Sequence, residues 1–207
     1  MFINNYKKNY NSIISNLFYG VNEIKTECLG CNKIKYNFEL FYFLEFHLEQ
    51  VNIIRQTNKD HDIDIYDFFE YYRRNELMKG DNNMYCNICK ISCNAYYSTE
   101  LYSMPNYLII VLNRGKGNIF QYDLHFPKIL DLKKYVVHPE SGYMYDLYGV
   151  ICHLGPSSMG GHFIAFCRHR MNNLWYKYND SKVTECEDDE FLYGVPYILF
   201  YQKIIID

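Results

Sequence analysis

YDLYGVICHLG at residues 145–155 and GGHFIAFCR at residues 160–168 are the stretches that decide the fold of this chain. Both are rich in aliphatic and aromatic residues, which suit a pleated, half-buried surface. Short segments with glycine, asparagine or proline separate them from similar runs, as in an antiparallel meander. We therefore predict strands at residues 145–153, 163–168, 174–178 and 197–202. A further buried strand is predicted at residues 107–112 (YLIIVL), with a turn at residues 115–118.

The first half of the chain predicts one strand and one short helix. Residues 37–48 (NFELFYFLEFHL) are apolar at alternating positions, which favours a strand. Residues 60–64 are polar and loop-like, and residues 80–83 are typical of a turn. Between them, four apolar side chains recur at helical spacing: Ile65, Phe68, Phe69 and Tyr72. Asp64 then occupies the N-cap position and Asp67 the first turn. The fold class is α+β, and the absence of a linker predicts one continuous domain.

The composition excludes several classes of function. The chain has 207 residues, a formal net charge of -3 and no long basic run, so no nucleic-acid footprint is expected. Its uncharged apolar runs are strand-sized, and its first residues lack a signal-peptide pattern, so no membrane partner is expected. We therefore expect a cytoplasmic or nuclear protein. Thiols stay reduced there, so the eight cysteines point to metal ligation, catalysis or buried thiols rather than disulfides.

Two C-x-x-C pairs predict a metal site. The pairs are Cys28 with Cys31 and Cys86 with Cys89, and together they supply the four thiolates that a tetrahedral structural Zn²⁺ needs. They are distant in sequence, so they must meet through tertiary structure. Two unrelated pairs of free thiols are one alternative. A thioredoxin-like redox role is another, but it requires a helix directly after a pair, and none is predicted. Cys93 is either a bystander or an alternative ligand.

A histidine follows two glycines between the predicted strands. His162 stands at the start of one strand, and Asn179 and Asp180 end the next, so these side chains can face one another. The Asn179 amide oxygen would accept a hydrogen bond from Nδ1–H of His162 and leave Nε2 free as a base, which is the orienting half of a Cys-His-Asn triad. A structural histidine and an ordinary Asn-Asp turn are the alternative interpretations.

In this order the motifs resemble those of the ubiquitin-specific proteases, papain-like cysteine peptidases that remove ubiquitin. Residues 145–155, 160–168, 175–180 (WYKYND) and 196–201 (PYILFY) are similar to that family's histidine box, and the two C-x-x-C pairs match its zinc-bearing fingers. Other positions that fall in family order are Glu76, Leu101, Pro105, Arg114, Phe126, Pro127, Leu130, Asp131 and Leu132. The resemblance covers about residues 18–203.

The resemblance implies a papain-like α+β fold over residues 1–207, as a single partial catalytic domain. Zinc-ribbon fingers would span about residues 20–104, and an antiparallel-sheet palm about residues 105–207. His162 would be the general base, Asn179 its orienting partner and Asp180 a second polar partner. Gly160 and Gly161 would border the channel that admits the Gly-Gly end of ubiquitin. The two cysteine pairs would hold one structural zinc ion, and ubiquitin or a ubiquitinated protein would be the partner.

The family's nucleophile is not among these motifs. Its cysteine lies in an Asn-x-Gly-Asn-Thr-Cys box on a helical thumb, which we expect upstream of this chain. Cys152 and Cys167 fall in strand patterns and Cys186 in an acidic loop, so all three are expected to be inert. The fragment alone is expected to be inactive. The alternatives are a non-catalytic ubiquitin-binding module derived from the family and an unrelated zinc-stabilised β protein.

Overall fold

The computed structural model describes residue 6 and residues 11–55, 63–115, 122–139, 143–157 and 160–205. The helices bounded within these ranges are α1 (Ile13–Phe18), α2 (Leu48–Arg55) and α3 (Ile65–Tyr72). The strands are β1 (Gly20–Cys28), β2 (Ile34–Phe41), β3 (Leu44–His47), β4 (Ile63–Asp64), β5 (Glu76–Met78), β6 (Met84–Cys86), β7 (Ile91–Cys93), β8 (Ala95–Ser103), β9 (Tyr107–Asn113), β10 (Leu124–His125), β11 (Ile129–Asp131), β12 (Met144–Ser157), β13 (Gly160–Arg168), β14 (Trp175–Asn179), β15 (Lys182–Cys186) and β16 (Val195–Lys203).

The larger sheet has eight strands. Its order is β15-β14-β13-β12-β16-β9-β3, and β11 pairs with the start of β12. Strands β12, β13 and β14 form the first part of the predicted meander. The fourth predicted strand, β16, does not continue it but lies between β12 and β9, and the unpredicted strand β15 pairs with β14 at the edge. All pairs are antiparallel except β3 with β9. The dominance of antiparallel strands with few helices confirms the α+β prediction.

The smaller sheet carries the first cysteine pair. Its order is β2-β1-β8-β5, and a separate hairpin of β6 and β7 carries the second pair. Strands β1 and β8 align Cys28 with Ala95, so the end of β1 meets the start of β8, directly after the β6–β7 hairpin. This topology brings together two segments that are distant in sequence.

Helix α3 begins as its sequence predicts. The Asp64 side chain accepts a hydrogen bond from the Tyr66 N–H, and the Asp67 side chain accepts one from the Asp64 N–H, so both acids cap the first turn. The buried Phe68 ring stacks on Phe46 of β3 at 5.0 Å between centroids, which seats the helix on the larger sheet. None of the described helices is long and apolar enough to cross a membrane.

Two predicted boundaries are wrong, and one predicted turn lies mostly outside the described residues. Residues 37–48 are not one strand, because the chain leaves β2 of the smaller sheet at Phe41 and enters the larger sheet as β3 at Leu44. The predicted loop at residues 60–64 ends in the short strand β4, which pairs with β10, and its earlier residues lie outside the described part. The predicted turn at residues 115–118 also lies outside it, apart from Gly115.

Candidate functional site

The histidine and the asparagine meet on neighbouring strands of the larger sheet. Strand β13 pairs with β14 so that Ala165 lies opposite Tyr178, which puts His162 and Asn179 on the same face, near the ends of their strands. His162 Nε2 is 2.6 Å from Asn179 Oδ1. The His162 side chain is 43% exposed, so solvent or another polypeptide segment can reach it.

The ring nitrogen that makes this contact differs from the predicted one. The sequence predicts that Nδ1 of His162 contacts Asn179, whereas in the structure Nε2 makes this contact. Since the asparagine oxygen can only accept, Nε2 carries the proton of the neutral ring, and Nδ1 is the nitrogen left to act as a base. The position of His162 on its strand decides which ring nitrogen reaches Asn179, and the residue types alone do not specify that nitrogen.

Asp180 is a weaker neighbour of the histidine. Its Oδ2 lies 3.7 Å from His162 Nε2, and its side chain is 80% exposed. Asp180 has a φ of 51°, because it begins the tight turn between β14 and β15. An exposed pair at this distance attracts only when the histidine is protonated, and water screens most of that attraction. Asn179 is therefore the closer partner of His162.

Two glycines precede His162 but serve different purposes. A Cβ atom at Gly161 would lie 2.2 Å from Nε2 of the buried His153 and 2.6 Å from the Leu154 oxygen, so this position needs glycine. At Gly160 a Cβ would meet no atom within 4 Å in the described part of the chain. Gly161 lets the backbone before His162 pack directly on His153, whereas Gly160 borders open space.

Two buried polar residues of the larger sheet and its connections were not singled out as site residues from the sequence. The His153 ring lies 5.0 Å from the Phe163 ring, under the strand that carries His162. Arg114 is 2% exposed and donates from Nε to the Pro196 oxygen at 2.6 Å, which ties the end of β9 to the start of β16. For His153, the glycines nearby in the sequence could have indicated close packing around its ring. Arg114 lies in an Asn-Arg-Gly segment that is typical of a surface turn, so nothing in the sequence indicated that it is buried.

The four cysteines of the two pairs converge as predicted. Their sulfurs all lie within 4.8 Å of one another. Cys28 Sγ is 3.9 Å from Cys89 Sγ, and Cys31 Sγ is 3.7 Å from Cys86 Sγ. A tetrahedron of sulfurs at the usual Zn–S distance has edges of about 3.8 Å, so these spacings suit zinc.

The two pairs also share one backbone conformation. Asn32 N–H donates to the Cys28 oxygen at 2.7 Å, and Lys90 N–H donates to the Cys86 oxygen at 2.8 Å, which closes a tight turn around each pair. Asn32 and Lys90, each directly after the second cysteine of its pair, have φ values of 55° and 60°. Strands follow both turns, so the helix that a thioredoxin-like site needs is absent from both described turns.

The cysteines outside this region are poor nucleophiles. Burial raises the pKa of the Cys152 thiol to about 12, and the nearby Arg114 offsets this only in part. Burial also raises the pKa of Cys167, and burial together with Glu190 raises that of Cys186. Cys186 ends strand β15, so its predicted placement in a loop is wrong. All three thiols are therefore protonated near neutral pH.

This chain is similar to known proteins over most of its length. A sequence model described as "Ubiquitin carboxyl-terminal hydrolase" matches residues 3–201. Ubiquitin carboxyl-terminal hydrolase 17-like protein B of Mus musculus is 29% identical over 92% of this chain and 39% of its own length. Ubiquitin carboxyl-terminal hydrolase 12 of Saccharomyces cerevisiae (strain ATCC 204508 / S288c) is 32% identical over 74% of this chain and 13% of its own length.

Solved structures give the same result. A SAGA DUB module of Ubp8, Sgf11, Sus1 and Sgf73 bound to monoubiquitin contains a chain with a TM-score of 0.76 and 26% identity, covering 96% of this chain and 43% of that one. The same module bound to ubiquitin aldehyde gives a TM-score of 0.76 and 25% identity, over 97% and 44%. The chain thus spans less than half the length of these relatives. Since the family match extends over nearly all of its residues, the chain belongs to the ubiquitin carboxyl-terminal hydrolase family and is a member of its ubiquitin-specific protease group.

Proposed function

We propose that this chain supplies the histidine side of the active site in a deubiquitinating cysteine protease. The observation that carries the proposal is the 2.6 Å contact between His162 Nε2 and Asn179 Oδ1, at a partly exposed position in a chain of this family. His162 would be the general base, Asn179 would hold its orientation, and Asp180 would add a weaker polar contact. Gly160 and Gly161 would line the path of the ubiquitin C-terminus.

The reaction needs a thiol from a segment outside this sequence, which we propose is a helical thumb with the family's cysteine box. Nδ1 of His162 would accept the proton of that thiol, and the thiolate would attack the carbonyl carbon of ubiquitin's last glycine. The C–N bond then breaks, and the leaving lysine amine takes the proton from His162. Water hydrolyses the resulting thioester, which releases ubiquitin with a free carboxylate and restores the thiol.

A structural zinc ion at the four-cysteine cluster would stabilise the region that reaches toward ubiquitin. Cys28, Cys31, Cys86 and Cys89 would bind it as thiolates, and the ion would fix the tip of the smaller sheet to the β6–β7 hairpin. We propose that residues 1–207 form part of one catalytic domain, with fingers at about residues 20–104 and a palm at about residues 105–207. Strand β3 falls in the first range but pairs in the larger sheet.

The partner in this proposal is ubiquitin, alone or attached to another protein, because the matched relatives are named for ubiquitin hydrolysis and two structural neighbours hold ubiquitin or its aldehyde. The cytosol or the nucleus would be the compartment, since the thiols that the reaction and the zinc site use must stay reduced.

A ubiquitin probe with a C-terminal thiol trap tests the proposal. We expect no labelling of this chain alone and efficient labelling once the chain is joined to the segment with the cysteine box. His162→Ala in the joined protein should slow the labelling. Labelling of the isolated chain, lost on mutating one of its own cysteines, would contradict the assignment of the nucleophile. Ubiquitin binding without labelling of the joined protein would favour a non-catalytic ubiquitin-binding module.

A further inference from the structure

A fifth thiol lies beside the four-cysteine cluster. Cys93 ends strand β7, whose pairing with β6 sets Cys93 opposite Met84. The next residue, Asn94, accepts a hydrogen bond at 2.9 Å from the backbone N–H of Leu29, which lies between the two cysteines of the first pair. The backbone therefore fastens Cys93 next to the turn that holds Cys28.

Gly30 shows how closely the sulfurs approach one another. A methyl group built on Gly30 would lie 3.1 Å from Cys93 Sγ, 3.2 Å from Cys89 Sγ and 3.6 Å from Cys28 Sγ. Three sulfurs from both cysteine turns and from β7 thus surround one small residue. Cys93 therefore lies on the side of the cluster that Cys28 and Cys89 form, and Cys31 and Cys86 make the other close sulfur pair.

Cys93 is near the cluster without belonging to its tetrahedron. The group of sulfurs within 4.8 Å of one another consists of the four pair cysteines. Cys93 Sγ instead makes a long contact of 3.7 Å with the Ile91 oxygen. A surface cavity of about 270 Å³ is lined by Cys28, Cys86 and Cys93, so open space adjoins the Cys93 side chain beside two cysteines of the cluster.

We propose that Cys93 is a reserve ligand, which binds the zinc ion in place of Cys89 or Cys28 when either thiolate is lost. The inference rests on the proposed zinc site. Zn²⁺ has no geometric preference of electronic origin, so a neighbouring thiolate can complete its tetrahedron at little cost. In the exchange, Cys93 releases its proton to solvent as it binds the ion.

The test compares zinc retention in single and double variants purified without chelator. The wild type and Cys93→Ser should each hold one zinc ion per chain. Cys89→Ser should keep its zinc, and Cys89→Ser/Cys93→Ser should bind it more weakly by over about 100-fold, the upper range for losing a residue that merely supports a ligand. Cys31→Ser is the matched control, because its sulfur lies on the other side of the cluster. Adding Cys93→Ser to it should change nothing.

Each other outcome overturns the proposal in a recognisable way. Equal zinc affinity of Cys89→Ser and the double variant would make Cys93 a bystander, and zinc loss in Cys93→Ser alone would make it a primary ligand. Absence of zinc from the wild type would remove the zinc site itself. If Cys89→Ser is recovered unfolded, refolding both variants with Zn²⁺ gives the same comparison, since metal binding drives folding at such sites. Only the single variant should then refold.

Discussion

Replacing the two glycines before His162, one at a time, should have very different effects on stability: a clear loss for Gly161→Ala and almost no change for Gly160→Ala. Both residues are exposed and adjacent, and the sequence offers no reason to separate them. Gly161→Ala places a methyl group 2.2 Å from Nε2 of His153 and 2.6 Å from the Leu154 oxygen. The second of these atoms belongs to the backbone, and His153 is 4% exposed, so neither can move aside easily.

The magnitude follows from the cost of overpacking. An extra methyl group in a filled space costs about 1–3 kcal/mol. In a chain of this length, each kcal/mol lowers the melting temperature by about 2–4 °C, so Gly161→Ala should melt about 2–12 °C below the wild type. Gly160→Ala meets no described atom within 4 Å and should stay within about 0.5 kcal/mol of the wild type.

Urea unfolding and thermal melts of the isolated chain measure this difference directly. In the complete protease, Gly161→Ala should also reduce kcat, because the strand that carries His162 must shift. Gly160→Ala should mainly raise KM by narrowing the path of the ubiquitin C-terminus. Equal stability losses in the two variants, or none in Gly161→Ala, would refute the packing of His162's strand on His153.

Four further substitutions test other parts of the account. In the complete protease, Asn179→Ala should lower kcat/KM by about 100-fold through misorientation of the imidazole. Asp180→Ala should lower kcat/KM by less than about 5-fold, because an exposed charged pair at the distance between Asp180 and His162 contributes about 0–1 kcal/mol. A larger loss for Asp180→Ala than for Asn179→Ala would make Asp180 the residue that orients the imidazole. Arg114→Met should lower the free energy of unfolding by about 2–5 kcal/mol, measured in urea, because two carbonyl oxygens lose a buried donor; a change below about 1 kcal/mol would contradict this. The folded pKa of Cys152 is about 12 against an ordinary 9.0, so its neutral thiol stabilises the fold below pH 9 and this contribution is lost as the pH rises toward 12. Between pH 9 and 11 the wild type should therefore lose more stability in urea than Cys152→Ala, and parallel losses would show that Cys152 is not buried.

Local patterns predicted the elements whose physics is local. Helix α3 follows from apolar spacing and from Asp64 and Asp67, since capping involves only neighbouring residues. The four-cysteine cluster also followed from the sequence, because two tight C-x-x-C pairs supply the four thiolates that a single ion needs wherever the fold brings them together.

Long-range pairing decided what the patterns could not. Residues 37–48 alternate as one strand, yet the chain changes sheets at Tyr42 and Phe43, which carry no turn signal. Strand β15 was not predicted, because it is a largely exposed edge strand that buries little apolar surface. Which nitrogen of the His162 ring contacts Asn179 depends on how strand β13 orients the ring. The contact through Nε2 could therefore be seen only in the structure.

The central claim is that His162 is the base of a deubiquitinating enzyme, and hydrolysis of a ubiquitin–rhodamine conjugate by the complete protease tests it most directly. His162→Ala should lower kcat/KM by about 10²–10⁴-fold, the usual contribution of a general base. His169→Ala is the matched control, because His169 is an exposed histidine that contacts Asn172 at the β13–β14 turn. That variant should retain wild-type activity. Equal activity of the His162 variant and the wild type, with the fold intact, would contradict the account.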